Sequence, residues 1–564
     1  MTDATTAPRP TPHPWWTNAV VYQVYPRSFA DSNGDGIGDI GGIRSKLDYL
    51  AELGIDVLWL SPMYPSPQHD NGYDISDYRD IDPVFGDLDE FDALLAEAHE
   101  RGMRIMMDLV VNHTSDEHAW FRESRSSVDN PKRDWYWWRP ARPDGDRPND
   151  WTSAFSGPAW TRDETTGEYY LHLFATEQPD LNWENPEVRE AVYDMMRWWL
   201  DRGVDGFRMD VINLIAKNLD AIDGADRGSG LGFGTGPQIH GFLQEMHREV
   251  FAAHPGSYVT VGEMPGVSTA DAALFTDPLR RELDMVFQFE HVSFDHGSHK
   301  FDPLPFDLVA LKEILGRWQT ELAETGWNSL YLGNHDQPRL VSRFGNDTVY
   351  RVESATLWAL VLHLMRGTPY VYQGDEIGMT NVTFATIDDY RDIESVNHYR
   401  EQVEQFDASP AAVLAGVHAR GRDNARTPMQ WDSSAHAGFS TGDPWIAVNP
   451  NYPTVNTEED RAAADSVFAF YRQLIALRHT DATVALGRFE LLEPQHPQLF
   501  AYARTSEDGT DRLIVVANAS DEPLTDPLPV PAGATLVLGN QPATGDDPTL
   551  RPWEARLYRV GSAL

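Results

Sequence analysis

Short apolar runs alternate with longer helical patterns along most of the chain. The runs are rich in valine, isoleucine, tyrosine and phenylalanine, and the alternation predicts repeated strand–helix units around a parallel sheet. The predicted strands lie at residues 19–29, 57–62, 104–113, 206–211, 258–264, 283–290, 330–336 and 370–378. Several are almost continuously apolar, which is typical of strands covered on both faces. We therefore predict an α/β fold, a (β/α)8 TIM barrel, with an open doubly wound sheet as the alternative.

Two stretches are too long for ordinary barrel connections. Residues 114–183, dense in Trp, Tyr, Pro and Asp, predict an inserted lobe after strand three, and residues 379–460 predict a second wall of the pocket. After the last long helical pattern, short alternating runs separated by turn residues predict a C-terminal antiparallel β domain. The predicted divisions are a flexible leader at 1–14, the barrel at 15–113 and 184–480, the lobe at 114–183 and the β domain at 481–564.

Composition limits the partners that the chain can have. Its 564 residues include 45 Lys and Arg against 87 Asp and Glu, a formal net charge of −42. Such a field repels phosphate backbones and anionic lipid, so we expect no nucleic acid and no membrane as partner. The absence of Cys excludes disulfides and thiolate chemistry. The polar start of the sequence lacks a signal-peptide pattern, so we expect a cytoplasmic protein, either a monomer or a homodimer.

Polar side chains collect where the predicted strands end, at the barrel face that carries active sites. They are Asp108, Asn112, His113, Arg208, Asp210, Glu263, His335 and Asp336. Each alone is explained by pairing with a neighbour or with solvent, but together they favour catalysis, because like charges in a cleft shift one another's pKa. The chain has no phosphate-binding loop, HExxH pair or GxSxG elbow. Carboxylates without a cofactor favour glycoside hydrolysis.

Six ordered motifs resemble those of the alpha-amylase family, glycoside hydrolase family 13. The four general ones are DLVVNHTS at 108–115, GFRMDVIN at 206–213, VGEM at 261–264 and LGNHDQ at 332–337. The two others, QPDLNW at 178–183 and GRDNARTPMQWD at 421–432, are similar to the oligo-1,6-glucosidase and alpha-glucosidase subgroup. The resemblance covers almost the whole chain.

The resemblance implies a retaining double displacement at three carboxylates. Asp210 would be the nucleophile, Glu263 the general acid and then base, and Asp336 the carboxylate that stabilises the transition state. Asp210 must be ionised while Glu263 holds a proton, so their environments must separate their pKa values. Arg208 lies two residues before Asp210, on the same strand face, and can keep the nucleophile anionic.

The sugar-binding residues implied by the resemblance are Asp70, Tyr73, His113, Phe174, Arg208, His335 and Arg422. A charge pair of Asp70 and Arg422 would close the far end of the pocket, which predicts exo-acting release of glucose from the non-reducing end of short alpha-glucosides. A structural salt bridge is the alternative for Arg422, and both roles are compatible. For Phe174 the alternative is packing within the lobe.

Val211, directly after Asp210, bears on the linkage. Relatives that cleave alpha-1,6 bonds resemble this chain in carrying Val there, so isomaltose, isomalto-oligosaccharides and panose are the expected substrates. An alpha-1,4-preferring or sucrose-active enzyme with transglucosylation is the alternative. Residues 291–308 lack the RLDRD motif of sucrose isomerases, which favours hydrolysis over isomerisation. A non-catalytic sugar-binding or transporter-partner relative is the alternative from another class.

The segment DSNGDGIGD at 31–39 predicts a structural metal site. It places oxygen side chains at relative positions 1, 3, 5 and 9, Gly at 6 and a carbonyl at 7, as in most of a Ca²⁺ loop, although position 12 is Gly42 rather than Glu. The predicted ligands are Asp31, Asn33, Asp35, the Ile37 carbonyl and Asp39. We expect Ca²⁺, with Mg²⁺ as the other candidate ion. An Asp/Gly-rich turn without metal is the alternative.

Overall fold

The computed structural model describes residues 13–217, 219, 235–525, 527–531, 533–542 and 547–561. Residues 1–12 of the predicted leader lie outside these ranges. The strands are β1 (Val21–Val24), β2 (Val57–Leu60), β3 (Arg104–Leu109), β4 (Trp138–Arg139), β5 (Trp160–Arg162), β6 (Tyr169–Leu171), β7 (Gly206–Met209), β8 (Val259–Glu263), β9 (Met285–Phe287), β10 (Ser329–Leu330), β11 (Thr368–Tyr372), β12 (Arg488–Leu492), β13 (Leu499–Thr505), β14 (Arg512–Asn518), β15 (Thr535–Gly539) and β16 (Ala555–Val560).

The α-helices of the described residues surround and extend this framework. They are α1 (Ile40–Ser45), α2 (Leu47–Leu53), α3 (Leu88–Glu100), α4 (Ala119–Ser124), α5 (Pro186–Arg202), α6 (Ile239–Met246), α7 (Thr269–Phe275), α8 (Glu290–Ser293), α9 (Leu308–Glu321), α10 (Leu340–Phe344), α11 (Arg351–His363), α12 (Ile393–Arg400), α13 (Pro410–Arg420), α14 (Asp423–Arg426), α15 (Thr457–Ala462), α16 (Val467–Thr480) and α17 (Ala482–Leu486). Within the same residues, no helix is both long and apolar enough to cross a membrane.

Eight parallel strands form the barrel, in the order β10-β11-β1-β2-β3-β7-β8-β9. A parallel bridge between Val286 and Asn328 joins β9 to the start of β10 and closes the ring. The predicted barrel is therefore confirmed and the open sheet is wrong. Every residue of β2 is buried, as expected for strands with side chains in the barrel and under the helices.

The barrel strands are shorter than the predicted runs. The first run was predicted over residues 19–29, but β1 ends at Val24, and β10 contains only two residues. The difference lies mainly at the carboxyl ends, where the polar motif residues leave the sheet and form the rim. The carboxyl-terminal residues of the predicted runs, which lie beyond the observed strands, are therefore the ones that form the site.

Local sequence signals explain where the helices begin and end, as α5 shows. The Asn185 side chain accepts a hydrogen bond from the Glu187 amide, and Pro186 occupies the first turn. Gly203, with φ 111°, ends the helix in the left-handed conformation that glycine adopts without strain.

Three additions extend the barrel. The stretch after β3 contains α4 and a three-stranded antiparallel sheet, β4-β6-β5. The stretch after β11 contains α12, α13 and α14. The C-terminal part forms a five-stranded antiparallel sheet, β12-β13-β14-β16-β15. It is attached to the barrel partly through Lys312 of α9, whose Nζ donates to the carbonyls of Glu493, His496 and Leu499.

Candidate active site

Arg208, at the carboxyl end of the barrel, contacts three carboxylates. Its Nη1 lies 2.7 Å from Oδ1 of both Asp108 and Asp210, and its Nη2 lies 2.6 Å from Oε2 of Glu263. Only 1% of Arg208 is exposed. These contacts bring together residues of three adjacent strands, β3, β7 and β8, because their parallel register places Asp108 opposite Arg208 and Met209 opposite Gly262.

A strained turn presents the predicted nucleophile. Val211 directly follows Asp210 and has φ 35° and ψ 42°, a left-handed conformation that is unfavourable for a β-branched residue. In this conformation the Val211 amide donates to Oε2 of Glu263 at 3.2 Å. The turn thus links the predicted nucleophile directly to the predicted acid.

The charge balance around Arg208 favours retention of a proton. Burial raises the pKa of Asp210 well above its usual range and the pKa of Asp108 to about 6, although Arg208 opposes both shifts. Arg208 faces both carboxylates, so Asp108 and Asp210 titrate as a pair, and burial favours a proton retained between them. Arg208 is the group that favours the ionised form of Asp210 against the effect of burial, and a nucleophile needs that form.

Asp336 has the opposite environment. Its Oδ1 lies 2.7 Å from Nη2 of Arg426 and 3.4 Å from Nη1 of Arg422, and His335 Nε2 lies 3.5 Å from its other oxygen. Desolvation would raise the pKa of Asp336, but the guanidinium groups of Arg422 and Arg426 hold it well below its usual range. Asp336 is therefore an anion throughout the neutral range.

The predicted pair of Asp70 and Arg422 is present. Arg422 Nη2 lies 3.0 Å from Asp70 Oδ1, and its Nε donates to Asp392 Oδ1 at 2.7 Å. Gln178 of the inserted lobe donates to Asp70 Oδ2 at 3.2 Å. Burial raises the pKa of Asp70 to about 6 despite Arg422. Residues from the barrel, the lobe and the second wall thus meet at one buried polar cluster.

The two predicted histidines are buried and neutral. His113 Nε2 lies 3.1 Å from the Tyr73 carbonyl, and the His113 ring packs at 5.2 Å from that of Phe174. His335 stacks on Tyr73, with ring centroids 5.2 Å apart. Burial lowers the pKa of His113 to about 4 and that of His335 to about 3. Both rings can therefore act as neutral hydrogen-bonding groups at neutral pH.

Several residues near the site were not singled out by sequence reasoning. Lys217 is fully buried, and its Nζ contacts Asp180 Oδ2 at 2.9 Å, Asn112 Oδ1 at 2.8 Å and the Leu214 carbonyl at 2.9 Å. It joins the lobe to the barrel. A single lysine outside a motif gives no sequence signal, whereas Arg426, four residues after Arg422, could have been inferred from helical spacing.

The loop at 31–39 forms a tight turn in which all the predicted metal ligands are oxygen atoms. Asp31 accepts hydrogen bonds from the amides of Asn33, Gly34 and Gly36, and Asp39 caps α1 by accepting from the Gly42 amide. Among the described residues, no group of three or more His, Asp or Glu is placed to hold a metal ion. Oxygen donors from Asp31, Asn33, Asp35 and the Ile37 carbonyl suit a hard cation. The metal site stays a prediction.

Comparison with known proteins places the chain in a family. The sequence profile of the alpha-amylase catalytic domain matches residues 23–487. The oligo-1,6-glucosidase of Parageobacillus thermoglucosidasius is 54% identical over 97% of this chain and 99% of that protein. The glucan 1,6-alpha-glucosidase of Streptococcus pneumoniae is 50% identical over 96% and 98%, respectively. A crystal structure of a mutant Bacillus licheniformis trehalose-6-phosphate hydrolase, 44% identical, superposes with a TM-score of 0.93 over 98% of this chain and 100% of that chain. The chain belongs to the alpha-amylase family of glycoside hydrolases.

Proposed function

We propose that this enzyme is a retaining, exo-acting alpha-glucosidase that releases glucose from the non-reducing end of short alpha-1,6-linked glucosides. The observation that carries the proposal is the meeting of Asp210 and Glu263 on one guanidinium, with Asp336 held anionic by two others. The names of relatives support it, since the oligo-1,6-glucosidase that is 54% identical aligns over nearly the full length of both chains.

The geometry supports a double displacement. Adjacent nitrogens of Arg208 hold the carboxylates of Asp210 and Glu263, and a retaining reaction needs such closeness, with carboxyl groups about 5–5.5 Å apart. Asp210 attacks the anomeric carbon while Glu263 gives its proton to the leaving oxygen. Glu263 then takes a proton from a water molecule whose oxygen attacks the anomeric carbon. The bond from that carbon to Asp210 breaks, and glucose leaves with its configuration retained. Asp336 stabilises the positive charge that develops on the sugar ring.

The ion pair between Arg422 and Asp70 supports exo action. Its atoms are buried, and Arg422 also contacts Asp336, so the pair stands beside the reacting centre. A substrate with further sugar units beyond the glucose in the pocket would have to displace a buried charge pair, which is costly. Substrate would therefore enter with its non-reducing end first.

Val211 supports the alpha-1,6 preference by its position. It follows Asp210, its amide contacts Glu263, and its side chain is buried in a cluster with Trp137 and Leu214. The residue thus lies next to both groups that act on the scissile bond. A rigid, β-branched side chain there restricts how the leaving sugar is oriented.

Initial rates on isomaltose, maltose, sucrose and trehalose 6-phosphate test the proposal. We expect isomaltose to have the highest kcat/KM, and we expect Glu263→Gln to remove most of the activity on every substrate. Faster cleavage of maltose, sucrose or trehalose 6-phosphate would overturn the linkage assignment. Absence of hydrolysis of all four sugars would favour the non-catalytic alternative.

We further propose that the loop at 31–39 binds a structural Ca²⁺, or Mg²⁺ in its place. Asp31, Asn33, Asp35, the Ile37 carbonyl and Asp39 would hold the ion, which would stabilise the loop rather than take part in the reaction. Ser440 donates to Asp31 Oδ2 at 2.5 Å, so the loop also contacts the second wall.

A further inference from the structure

A buried glutamine contacts the imidazole of His335 on the side away from Asp336. Gln23, on β1, is 1% exposed, and its Nε2 lies 2.8 Å from His335 Nδ1 and 3.1 Å from Ser61 Oγ. With the carboxamide in this orientation its nitrogen donates and His335 Nδ1 accepts, while Gln23 Oε1 is buried without a hydrogen-bond partner among the described residues. A neutral ring that accepts at Nδ1 carries its proton on Nε2.

The opposite side of the ring favours the same tautomer. Asp336 Oδ2, an acceptor, lies 3.5 Å from His335 Nε2. Within the residues that the structure describes, Nε2 has no hydrogen-bond partner of ordinary length. A buried donor without a protein partner is costly, and a ligand hydroxyl at the site would satisfy it.

Aromatic rings hold the imidazole in place. Tyr73 stacks on it at 5.2 Å and 5°, Tyr25 stacks on it at 6.1 Å and 17°, and Trp59 meets it edge-on at 6.0 Å. The ring cannot exchange its two nitrogens without displacing these neighbours. The contacts at Nδ1 and Nε2 therefore decide which nitrogen carries the proton.

Burial disfavours a second proton on the ring and lowers the pKa of His335 to about 3. Three cations that face the ring, Arg208, Arg422 and Arg426, add to this shift, whereas Asp336 opposes it. Tyr25 and Tyr73 are un-ionised, because burial raises the pKa of each. His335 is thus a neutral ring with a single proton to place.

We propose that Gln23 is a positioning residue that selects the Nε2–H tautomer of His335. The neutral imidazole then points a hydrogen-bond donor towards Asp336 and towards a bound sugar hydroxyl. The identity of that sugar rests on the proposed function, whereas the tautomer of the free enzyme does not.

Neutron diffraction from deuterated crystals of the unliganded enzyme tests the tautomer directly. We expect a deuteron on His335 Nε2, none on Nδ1, and the Gln23 amide deuterons directed at Nδ1. A deuteron on Nδ1, facing the Gln23 oxygen, would overturn the proposal. This readout needs no substrate, so failure of the tautomer assignment and failure of the glucosidase assignment remain distinguishable.

Two substitutions at Gln23 test the consequence for catalysis. Gln23→Leu removes the donor to Nδ1, and we expect kcat/KM on isomaltose to fall about tenfold, the effect of one hydrogen bond. Gln23→Glu places a hydrogen-bond acceptor opposite Nδ1, so a neutral His335 ring would carry its single proton on Nδ1. Only the doubly protonated imidazolium would then have a proton on Nε2. We therefore expect the ratio of kcat/KM for Gln23→Glu to that of the natural enzyme to fall with rising pH, by up to tenfold per pH unit.

The matched control is Gln373→Glu, which places a carboxylate at a buried glutamine that contacts the Tyr25 amide and the Ser28 carbonyl rather than His335. We expect its ratio to be independent of pH over the same range. A pH-independent loss in Gln23→Glu as well would reduce Gln23 to a packing role and overturn the proposal. If that variant fails to fold, Gln23→Leu still tests the proposal, since unchanged kcat/KM would contradict it.

Discussion

Replacing Arg208 by Met removes the guanidinium that Asp108, Asp210 and Glu263 share, and its effect is best seen in the pH dependence. An arginine in direct contact lowers a carboxylate pKa by about 1–3 units, so its loss raises the pKa values of Asp108 and Asp210 by that amount. Asp210 must be ionised to attack. The acidic limb of kcat/KM should therefore move to higher pH by about 1–3 units.

Arg208→Lys separates charge from geometry. Lysine keeps the positive charge but cannot reproduce the planar fork that reaches three carboxylates at 2.6–2.7 Å. Loss of one charge-assisted hydrogen bond, about 1.5–3 kcal/mol, should lower kcat/KM about ten- to hundredfold, with the acidic limb nearly unchanged.

The assay is kcat/KM for isomaltose between pH 4 and 9, which reports the ionisations of the free enzyme. Circular dichroism at each pH controls for unfolding. The reasoning is refuted if Arg208→Met and the natural enzyme share the same acidic limb, or if Arg208→Lys shifts it as far as Arg208→Met.

Three further predictions concern the lobe, the metal loop and the linkage. Lys217→Met should lower the free energy of unfolding, measured by urea titration, by about 3–5 kcal/mol, because Asp180 stays buried without its partner. Adding Asp180→Asn should recover part of this loss, and a loss below about 1 kcal/mol would contradict the role of Lys217 in joining the lobe to the barrel. A chelator should lower the melting temperature of the natural protein, and added Ca²⁺ should restore it. In a variant with Asp31→Asn and Asp35→Asn, neither chelator nor Ca²⁺ should change the melting temperature, and equal melting temperatures with and without Ca²⁺ in the natural protein would count against the site. Val211→Ala should reduce the ratio of kcat/KM for isomaltose over maltose about tenfold or more, and an unchanged ratio would remove the linkage argument.

The barrel could be predicted because its signal repeats along the chain. Each strand is an apolar run and each run ends in polar residues, so the order, the closure and the rim follow from pattern and length. β15 has a weaker sequence signal, since most of Thr535–Gly539 is exposed and lacks the alternation of a half-buried strand.

The candidate site was predictable where chemistry and spacing coincide. Arg208 and Asp210 lie two residues apart on one strand, which already places both on one face. Asp392 and Lys217 were not predictable, because they act through contacts with residues distant in sequence, Arg422 and Asp180. Such pairs are set by tertiary packing.

Gln23 illustrates the same limit within a predicted strand. It is a polar residue inside the run VVYQVYPRSF, where the pattern gives it only a place in the barrel wall. Its partner, His335, is 312 residues away. The structure was needed to show that this side chain meets an imidazole rather than solvent.

Trapping of the glycosyl-enzyme tests the central claim most directly. In Glu263→Gln, alpha-glucosyl fluoride should still glucosylate the nucleophile, since fluoride leaves without needing a proton, whereas the second step lacks its base. Mass spectrometry of the digested protein should find one glucosyl unit on Asp210 and none after Asp210→Asn. A glucosyl unit on another residue would contradict the assignment of Asp210 as the nucleophile. The absence of any adduct in Glu263→Gln, when the natural enzyme hydrolyses isomaltose, would contradict it too.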